Sequence, residues 1–364
     1  MPGRARDVLH ILRTLILTTP HNSVALDALG GLGLAPALAA LLGCRVGGSG
    51  CRSGSSGGSG GPLSSRVGGV VEALAAVASE GTLCWLVAGG GLDLAVGLLV
   101  DVGGGTRAAA PGAQHVRKAA RGGVAFLLRC LGLGQYPSVR GTGTGNTHVS
   151  RSVLARALAL LDAPARLVAS LEAGVGANDP TLAHGSARAF SVLCGGDSIV
   201  KERAARLETA SVVLHVLANV PIRIGDMWAG GSDAAGYAKL GLVLLKALKS
   251  LTMASSVALD SLATCGAIEV VVAFLAQVQV GVRFGVPGTS LRDMPLRDEL
   301  EDQLVPIVYY LCRIDKARLV RAARRGAAIL LANCVARQLS VSNSDCLRRV
   351  TQVMVALSIC TLKS

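Results

Sequence analysis

Apolar residues recur at i, i+3, i+4 and i+7 in four separate stretches: Val8, Ile11, Leu12 and Leu15; Val67, Val70, Val71 and Leu74; Leu304, Ile307, Val308 and Leu311; Val350, Val353, Met354 and Leu357. That spacing lines one face of an α-helix, so each stretch predicts an amphipathic helix. Leu182, Ser186, Ala189, Phe190 and Leu193 give a weaker version of the pattern, and Leu244, Leu248 and Leu251 another.

A second kind of segment opens on glycine and continues as a short, strongly apolar helix. Gly90 to Leu99 and Gly266 to Leu275 match position by position, down to an acid three residues after the glycine, Asp93 in one and Glu269 in the other. The stretches Gly326 to Leu331, Gly123 to Leu128 and Gly33 to Leu42 echo them, preceded by short apolar or basic helices such as Val257 to Ala263 and Leu319 to Arg324. A glycine accepts positive φ without a Cβ penalty, so it lets the chain turn sharply between two helices. A helix apolar on most sides must then be covered by its neighbours. Stacked units of helix, short helix, glycine turn and inner helix supply that cover, which is the construction of a solenoid. From Leu304 to Leu347, where the next unit opens, is about 43 residues, inside the span of armadillo and HEAT repeats. The expected fold is therefore all-α: an armadillo/HEAT-like, right-handed superhelical solenoid of about six to eight units with Gly/Ser-rich insertions.

The insertions set the expected organisation. Residues 1–45 read as a first unit, 46–66 as a flexible linker around the Gly/Ser tract from Gly47 to Gly61, and 67–280 as further repeats with disordered loops near 103–115 and 141–148. Residues 281–296 read as a loop, and 297–364 as the last repeats with a truncated final unit. Two short helices between Ser150 and Gly185 fit one unit or two.

Composition agrees with this reading. The 364 residues are 51% hydrophobic but only 3% aromatic, which supports a large core while arguing against a sandwich or barrel. Mean hydropathy is +0.52, yet the longest uncharged apolar candidate, Ala28 to Cys44, contains Pro36 and four glycines. It sits at the short end of what crosses a bilayer, so no membrane span is expected. The ten cysteines form no C-x-x-C pair, and the N-terminus lacks a convincing signal peptide. Zinc and a disulfide framework are not indicated, and the cysteines read as small buried hydrophobes in a reducing, cytoplasmic compartment.

The segment Leu304-Val-Pro-Ile-Val-Tyr-Tyr-Leu-Cys-Arg-Ile-Asp-Lys-Ala-Arg-Leu-Val-Arg-Ala-Ala-Arg-Arg-Gly-Ala-Ala-Ile329 resembles the armadillo-type region C-terminal to the kinase domain in fungal septation-initiation protein kinases and plant MAP-kinase-kinase-kinase epsilon. Leu311 to Lys316 and the Ala322-Ala323 pair before Gly326 carry the likeness. Leu248 to Met253, Leu259 and Gly266 to Glu269 look like the preceding repeat of that region. The resemblance is good over about 241–331, thin over 81–99, and general elsewhere. It implies a protein-binding scaffold in cytokinesis signalling, acting in a small-GTPase pathway at the spindle pole or division site, with no cofactor. The kinase half of such a protein is missing: no strand lysine, H-R-D loop or D-F-G is present, and the Gly141 to Asn146 run lacks a strand before it. This chain is therefore expected to be no enzyme.

Other chemistry is sparse. His10 and His215 stand alone within helical patterns, Ser186 reads as lying near a helix N-cap, and Glu299, Glu301 and Asp302 read as acids opening a helix. Positive charge is the remaining signal, since 36 Lys and Arg face 23 Asp and Glu, a net charge of +13. It concentrates at Arg313, Lys316, Arg318, Arg321, Arg324 and Arg325, with Arg348 and Arg349 following. Such a strip attracts acidic or phosphorylated segments, with Arg318, Arg321 and Arg325 on one helix face, or is simply a solvated face. Nucleic acid fits poorly because few aromatics exist for stacking. A free-standing armadillo adaptor or a nuclear-import-type carrier of basic peptides is the competing reading. Its spaced tryptophans are short here, with only Trp85 and Trp228 in the chain.

Overall fold

The computed structural model describes residues 2–18, 28, 33–41, 62–77, 80–100, 113–132, 151–196, 198–228, 234–253, 256–283, 294–313, 315–338 and 351. Among them lie seventeen helices and no strand. The chain divides into two compact units, Met1–Gly196 and Asp197–Ser364. The first holds α1 (Pro2–Thr18), α2 (Leu34–Leu41), α3 (Pro62–Val77), α4 (Glu80–Ala88), α5 (Gly91–Leu98), α6 (Ala113–Gly132), α7 (Arg151–Leu160), α8 (Ala163–Gly176) and α9 (Pro180–Cys194). The second holds α10 (Ser198–Ala204), α11 (Leu207–Trp228), α12 (Ala234–Thr252), α13 (Ser256–Thr264), α14 (Ala267–Arg283), α15 (Met294–Cys312), α16 (Lys316–Arg324) and α17 (Ala327–Gln338).

The helices come in triplets whose members keep their roles. In the first unit α3, α4 and α5 form one triplet and α6, α7 and α8 the next; in the second unit α12 to α14 and α15 to α17 repeat the order. First helices stack on first helices, α1 on α3, α3 on α6 and α6 on α9, while α2 packs on α5. The second unit does the same, with α12 on α15, α11 on α14 and α14 on α17. Each layer buries its own apolar face, so the core runs along the stack rather than gathering at one centre.

The glycine turns are left-handed, as the repeat requires. Gly33, Gly90, Gly266 and Gly326 have φ of 78°, 90°, 84° and 81°, and each stands immediately before the last helix of its set. At Gly266 the chain bends by 73° between α13 and α14. The turn before α8 is made instead by Asp162, at φ 60°. Gly123 belongs to a different role: it lies inside α6, not at a turn, which corrects the expectation that it opens a helix.

Its role is close approach. A methyl added at Gly123 would lie 2.5 Å from the Ala95 carbonyl oxygen of α5, and one added at Gly122 would collide with the Gly68 backbone of α3. One added at Gly68 would meet the Ala119 Cα at 2.5 Å. The adjacent pair Gly122 and Gly123 thus lets α6 reach backbone contact with α3 and α5 at the same level. The same device recurs at Gly174, whose added methyl would lie 2.7 Å from the Ala183 nitrogen on α9. With so few aromatics, small residues bring helices together where large ones would otherwise fill the gap.

Three of the expected apolar stripes are buried as read: Val67, Val70, Val71 and Leu74, then Leu244, Leu248 and Leu251, then Leu304, Ile307, Val308 and Leu311. Leu182, Ser186, Ala189, Phe190 and Leu193 are fully buried too. The stripe on α1 is corrected, since Val8 and Ile11 are exposed while Leu9 and Ile16 face inward. Helix α1 is apolar on several sides, and its seat on α3 selects a neighbouring stripe. Val350, Val353, Met354 and Leu357, like the tracts 47–61, 103–112, 141–148 and 284–293, lie outside the described residues.

Expected boundaries shift where helices extend into Gly-rich or polar sequence. Residues 62–66 open α3, 113–115 open α6, α14 continues to Arg283, and α15 starts at Met294. Two N-terminal readings also change. Ser186 is a buried interior residue of α9, whose N-cap is Asp179, and Glu299, Glu301 and Asp302 lie beyond the first turn of α15, which holds no acid.

Two buried polar ties lock the first unit's layers. Asp179 accepts from the Leu182 backbone N–H at 3.1 Å and is bound by Arg121 of α6 at 2.7 Å and 2.9 Å, so one carboxylate caps α9 and anchors it to α6. The buried Ser170 hydroxyl of α8 accepts from the Val100 N–H at 3.0 Å, just past the end of α5. Gly122→Ala is expected to cost about 1–3 kcal/mol by overpacking. Gly176→Ala, where an added methyl meets nothing within 4 Å, is expected to be near neutral. Urea unfolding followed by circular dichroism checks the pair, and equal stability of the Gly122→Ala protein and the parent would dissolve the seam.

Candidate functional site

The six basic residues singled out by sequence run from the corner where α15 passes into α16, along α16, to the residue just past its end. Asp315 makes that corner. Its backbone is extended, and its carboxylate accepts from the Ala317 N–H at 2.8 Å, so it caps α16. The helix that follows, Lys-Ala-Arg-Leu-Val-Arg-Ala-Ala-Arg, has no acid of its own, and none appears through Gln338.

The structure separates the six by environment. Arg318 is only 12% exposed at its side chain and forms ion pairs with Asp260 of α13 and, at 3.3 Å, with Asp315. Arg321 reaches Glu269 in the first turn of α14 at 2.8 Å and 2.9 Å. Both partners belong to the preceding triplet, so these two arginines lie on a seam between triplets. The expected common face of Arg318, Arg321 and Arg325 is therefore divided, its first two members turning toward Asp260 of α13 and Glu269 of α14. Lys316, Arg324 and Arg325 are exposed. Arg313 is exposed as well, with its guanidinium 5.2 Å from the Tyr310 ring, which in turn meets Tyr309 edge to face at 5.3 Å.

Sequence reading did not find Asp260 or Asp315 as partners of the cluster, and it found Glu269 only as a repeated position. The signal was present at Glu269: an acid three residues after the turn glycine lies in the first helical turn, where the macrodipole favours it and a neighbouring cation completes the pair. Asp260 carried no such mark, because nothing in its local pattern tells that a helix 58 residues later will lie against it.

Polar side chains also cross the layers of the second unit. Buried Gln279 of α14 donates to the Leu330 carbonyl at 2.9 Å and to Cys334 Sγ at 3.1 Å, and accepts from Asn333 at 3.3 Å. Lys249 of α12 donates to Gln303 of α15 at 3.3 Å. Within α15, Arg297 and Glu301 form an ion pair at 3.3 Å with both side chains almost completely buried. Asp302 beside it is shifted upward by burial and by Asp298, partly offset by Lys249.

Elsewhere the chemistry is thin. An open groove of about 400 Å³ in the first unit crosses α3, α6 and α9, with Ala75, Leu128 and Val192 among its walls and Glu72, Arg129 and Arg188 at its polar edge. His10 and His215 are exposed; Thr14 donates to the His10 carbonyl and Asn219 to the His215 carbonyl, ordinary helix-surface contacts. Cys130, Cys194, Cys265, Cys312 and Cys334 are free thiols, and all of them but Cys265 are buried. Among the described residues no cluster of His, Cys, Asp and Glu could hold a metal ion, and no single helix is long and apolar enough to cross a membrane.

No protein-family profile and no curated protein matches the chain. Among solved structures it is similar to a crystal structure of an engineered protein from the Northeast Structural Genomics Consortium, with a TM-score of 0.51 and 12% identity, over 90% of this chain and 97% of that one. A second engineered protein from the same consortium aligns at TM-score 0.48 and 11% identity, over 89% and 98% of the two chains. The first likeness is one of fold.

Two outcomes follow from the buried groups. Glu301→Ala leaves Arg297 charged and uncompensated in the interior, so it is expected to cost about 3–5 kcal/mol, whereas Arg297→Met with Glu301→Leu is expected to be near neutral. Denaturant midpoints of the two variants check this, and a cheap single variant would refute it. Burial pushes the Cys312 thiol up to about 12, with Arg318 acting in the opposite sense. The folded chain therefore holds this proton through a range in which the unfolded chain releases it, and stability declines as pH rises from about 9 toward 12. Native-state alkylation at mildly alkaline pH should leave Cys312 unmodified until the protein unfolds, as peptide mapping by mass spectrometry will read.

Proposed function

We propose that this chain is a non-catalytic, armadillo-type scaffold or regulatory module that binds other proteins. The observation that carries the reading is the recurrence of one left-handed glycine immediately before the last helix of a set, at Gly33, Gly90, Gly266 and Gly326, with first and last helices stacked in separate layers. Repeats stacked this way present extended surfaces suited to binding partners. The resemblance of about 241–331 to the region that follows the kinase domain in septation-initiation kinases supports the finer reading. On it, the chain corresponds to the C-terminal regulatory part of such a Ser/Thr kinase, acting in cytokinesis signalling in the cytoplasm at the spindle pole or division site.

The partner class that fits is a protein segment that is acidic or phosphorylated, because the densest charge in the chain is positive and falls in the last repeats. Fluorescence anisotropy with labelled acidic, phosphoserine-containing and basic peptides tests this. Acidic and phosphorylated peptides are expected to bind, and binding is expected to weaken steeply between about 50 mM and 500 mM salt as exposed charges are screened. Preference for the basic peptide would overturn the reading in favour of an import-type carrier.

A further inference from the structure

The basic cluster on α16 is two sets of residues with different surroundings. Arg318 and Arg321 are consumed by Asp260, Asp315 and Glu269, acids that the fold brings to them from the preceding triplet and from the cap of α16. Lys316, Arg324 and Arg325 are exposed and take no part in those pairs. Lys316 and Arg324 are eight residues apart, which on a helix is about 12 Å of rise and a rotation of roughly 80°, so both ammonium and guanidinium can face one side. Arg325 stands at the end of the helix beside Arg324, before the left-handed turn at Gly326.

We infer that Lys316, Arg324 and Arg325 form the docking surface for an anionic peptide segment, while Arg318 and Arg321 close the seam between the last two triplets. The inference rests on the scaffold reading above and assigns its contact residues. An extended peptide advances about 3.3 Å per residue, so acids four residues apart on one side lie about 13 Å from each other, a match to the separation of Lys316 and Arg324. No Asp or Glu occurs from Lys316 to Gln338, so nothing on these two helices repels such a segment. The nearby Tyr309 and Tyr310 are half-buried and packed on each other, leaving no flat platform for stacked bases.

The test uses the full chain and three labelled probes read by anisotropy: a ten-residue glutamate-rich peptide, a phosphoserine peptide of the same length, and a single-stranded RNA ten-mer. Lys316→Glu with Arg324→Glu and Arg325→Glu is expected to weaken peptide binding by about tenfold or more, because three modest exposed pairs are each reversed. Its melting temperature is expected to stay at the parent value. Arg318→Gln with Arg321→Gln is expected to do the opposite, lowering the melting temperature while keeping peptide affinity within about threefold at a temperature where it is folded. If that variant fails to fold, Arg318→Lys with Arg321→Lys keeps the charge on the seam and serves in its place. The phosphoserine and glutamate probes tell whether phosphate or carboxylate is preferred. Peptide binding by the parent that survives the triple change, or that vanishes in the folded seam variant, overturns this assignment and leaves the scaffold reading standing. Tighter binding of the RNA than of either peptide, or no peptide binding by the parent at all, overturns the assignment together with the partner class it rests on.

Discussion

Backbone-to-backbone approach of helices at glycine is the constraint on which the first unit depends. Helix α6 is an inner member of its layer and packs on α3, α5 and α9. It accommodates α3 and α5 by spending two consecutive positions, Gly122 and Gly123, on having no side chain. Gly68 on α3 answers from the other side, and Gly185 of α9 lies close under Val124. A core assembled in this way contains few large side chains, yet it can be as dense as one built from aromatics, because density depends on the absence of voids rather than on residue size. The helical propensity lost at these glycines, roughly 1 kcal/mol each relative to alanine, is offset by the contacts that the shortened distance makes possible.

In the second unit the layers are held less by close approach and more by polar and charged ties that cross them. Gln279 bridges α14 to α17, Lys249 bridges α12 to α15, and the pairs of Arg318 and Arg321 join α16 to α13 and α14. Buried polar groups of this kind demand partners in specific places, so they fix register along the stack where a purely apolar face would tolerate sliding. The exposed ion pairs add little stability individually. Their effect is on which surface of α16 faces its neighbour and which faces solvent.

Much of the fold was legible in the sequence because it repeats. The match of Gly90 to Leu99 with Gly266 to Leu275 encodes both a turn and the helix after it, and φ above zero at both glycines is the physical content of that match. Apolar stripes at Val67 to Leu74 and Leu304 to Leu311 were legible because their i, i+3, i+4, i+7 spacing falls on positions the neighbours cover, although Ala73, Ala75 and Val305 outside the stripes are buried with them. The α1 stripe misled because apolar residues occupy several of its sides, so periodicity alone could not choose between Val8 with Ile11 and Leu9 with Ile16. Gly123 misled because a glycine needed for conformational freedom and one needed for close packing are the same letter in the sequence. The candidate surface was half legible. Charge density marked α16, but the acids that occupy Arg318 and Arg321 come from 58 and 52 residues away, beyond any local pattern.

The left-handed turn has a consequence for how such a chain can vary. Direction is set inside a triplet by one residue, as at Gly90 between α4 and α5 and at Gly266 between α13 and α14, with almost no length to spare. Length at the other joints is unconstrained by that geometry, since helices there are joined across segments of very different size: 253–255 between α12 and α13, 133–150 between α6 and α7, 99–112 between α5 and α6, and 284–293 between α14 and α15. The Gly/Ser-rich tract at 47–61 likewise falls between α2 and α3. Genetic gain or loss of sequence is thereby kept out of the turn before the last helix and left to the other joints, where closing a longer loop costs only a slowly growing entropy. The stack is a modular frame that can acquire new segments without relearning how its helices meet.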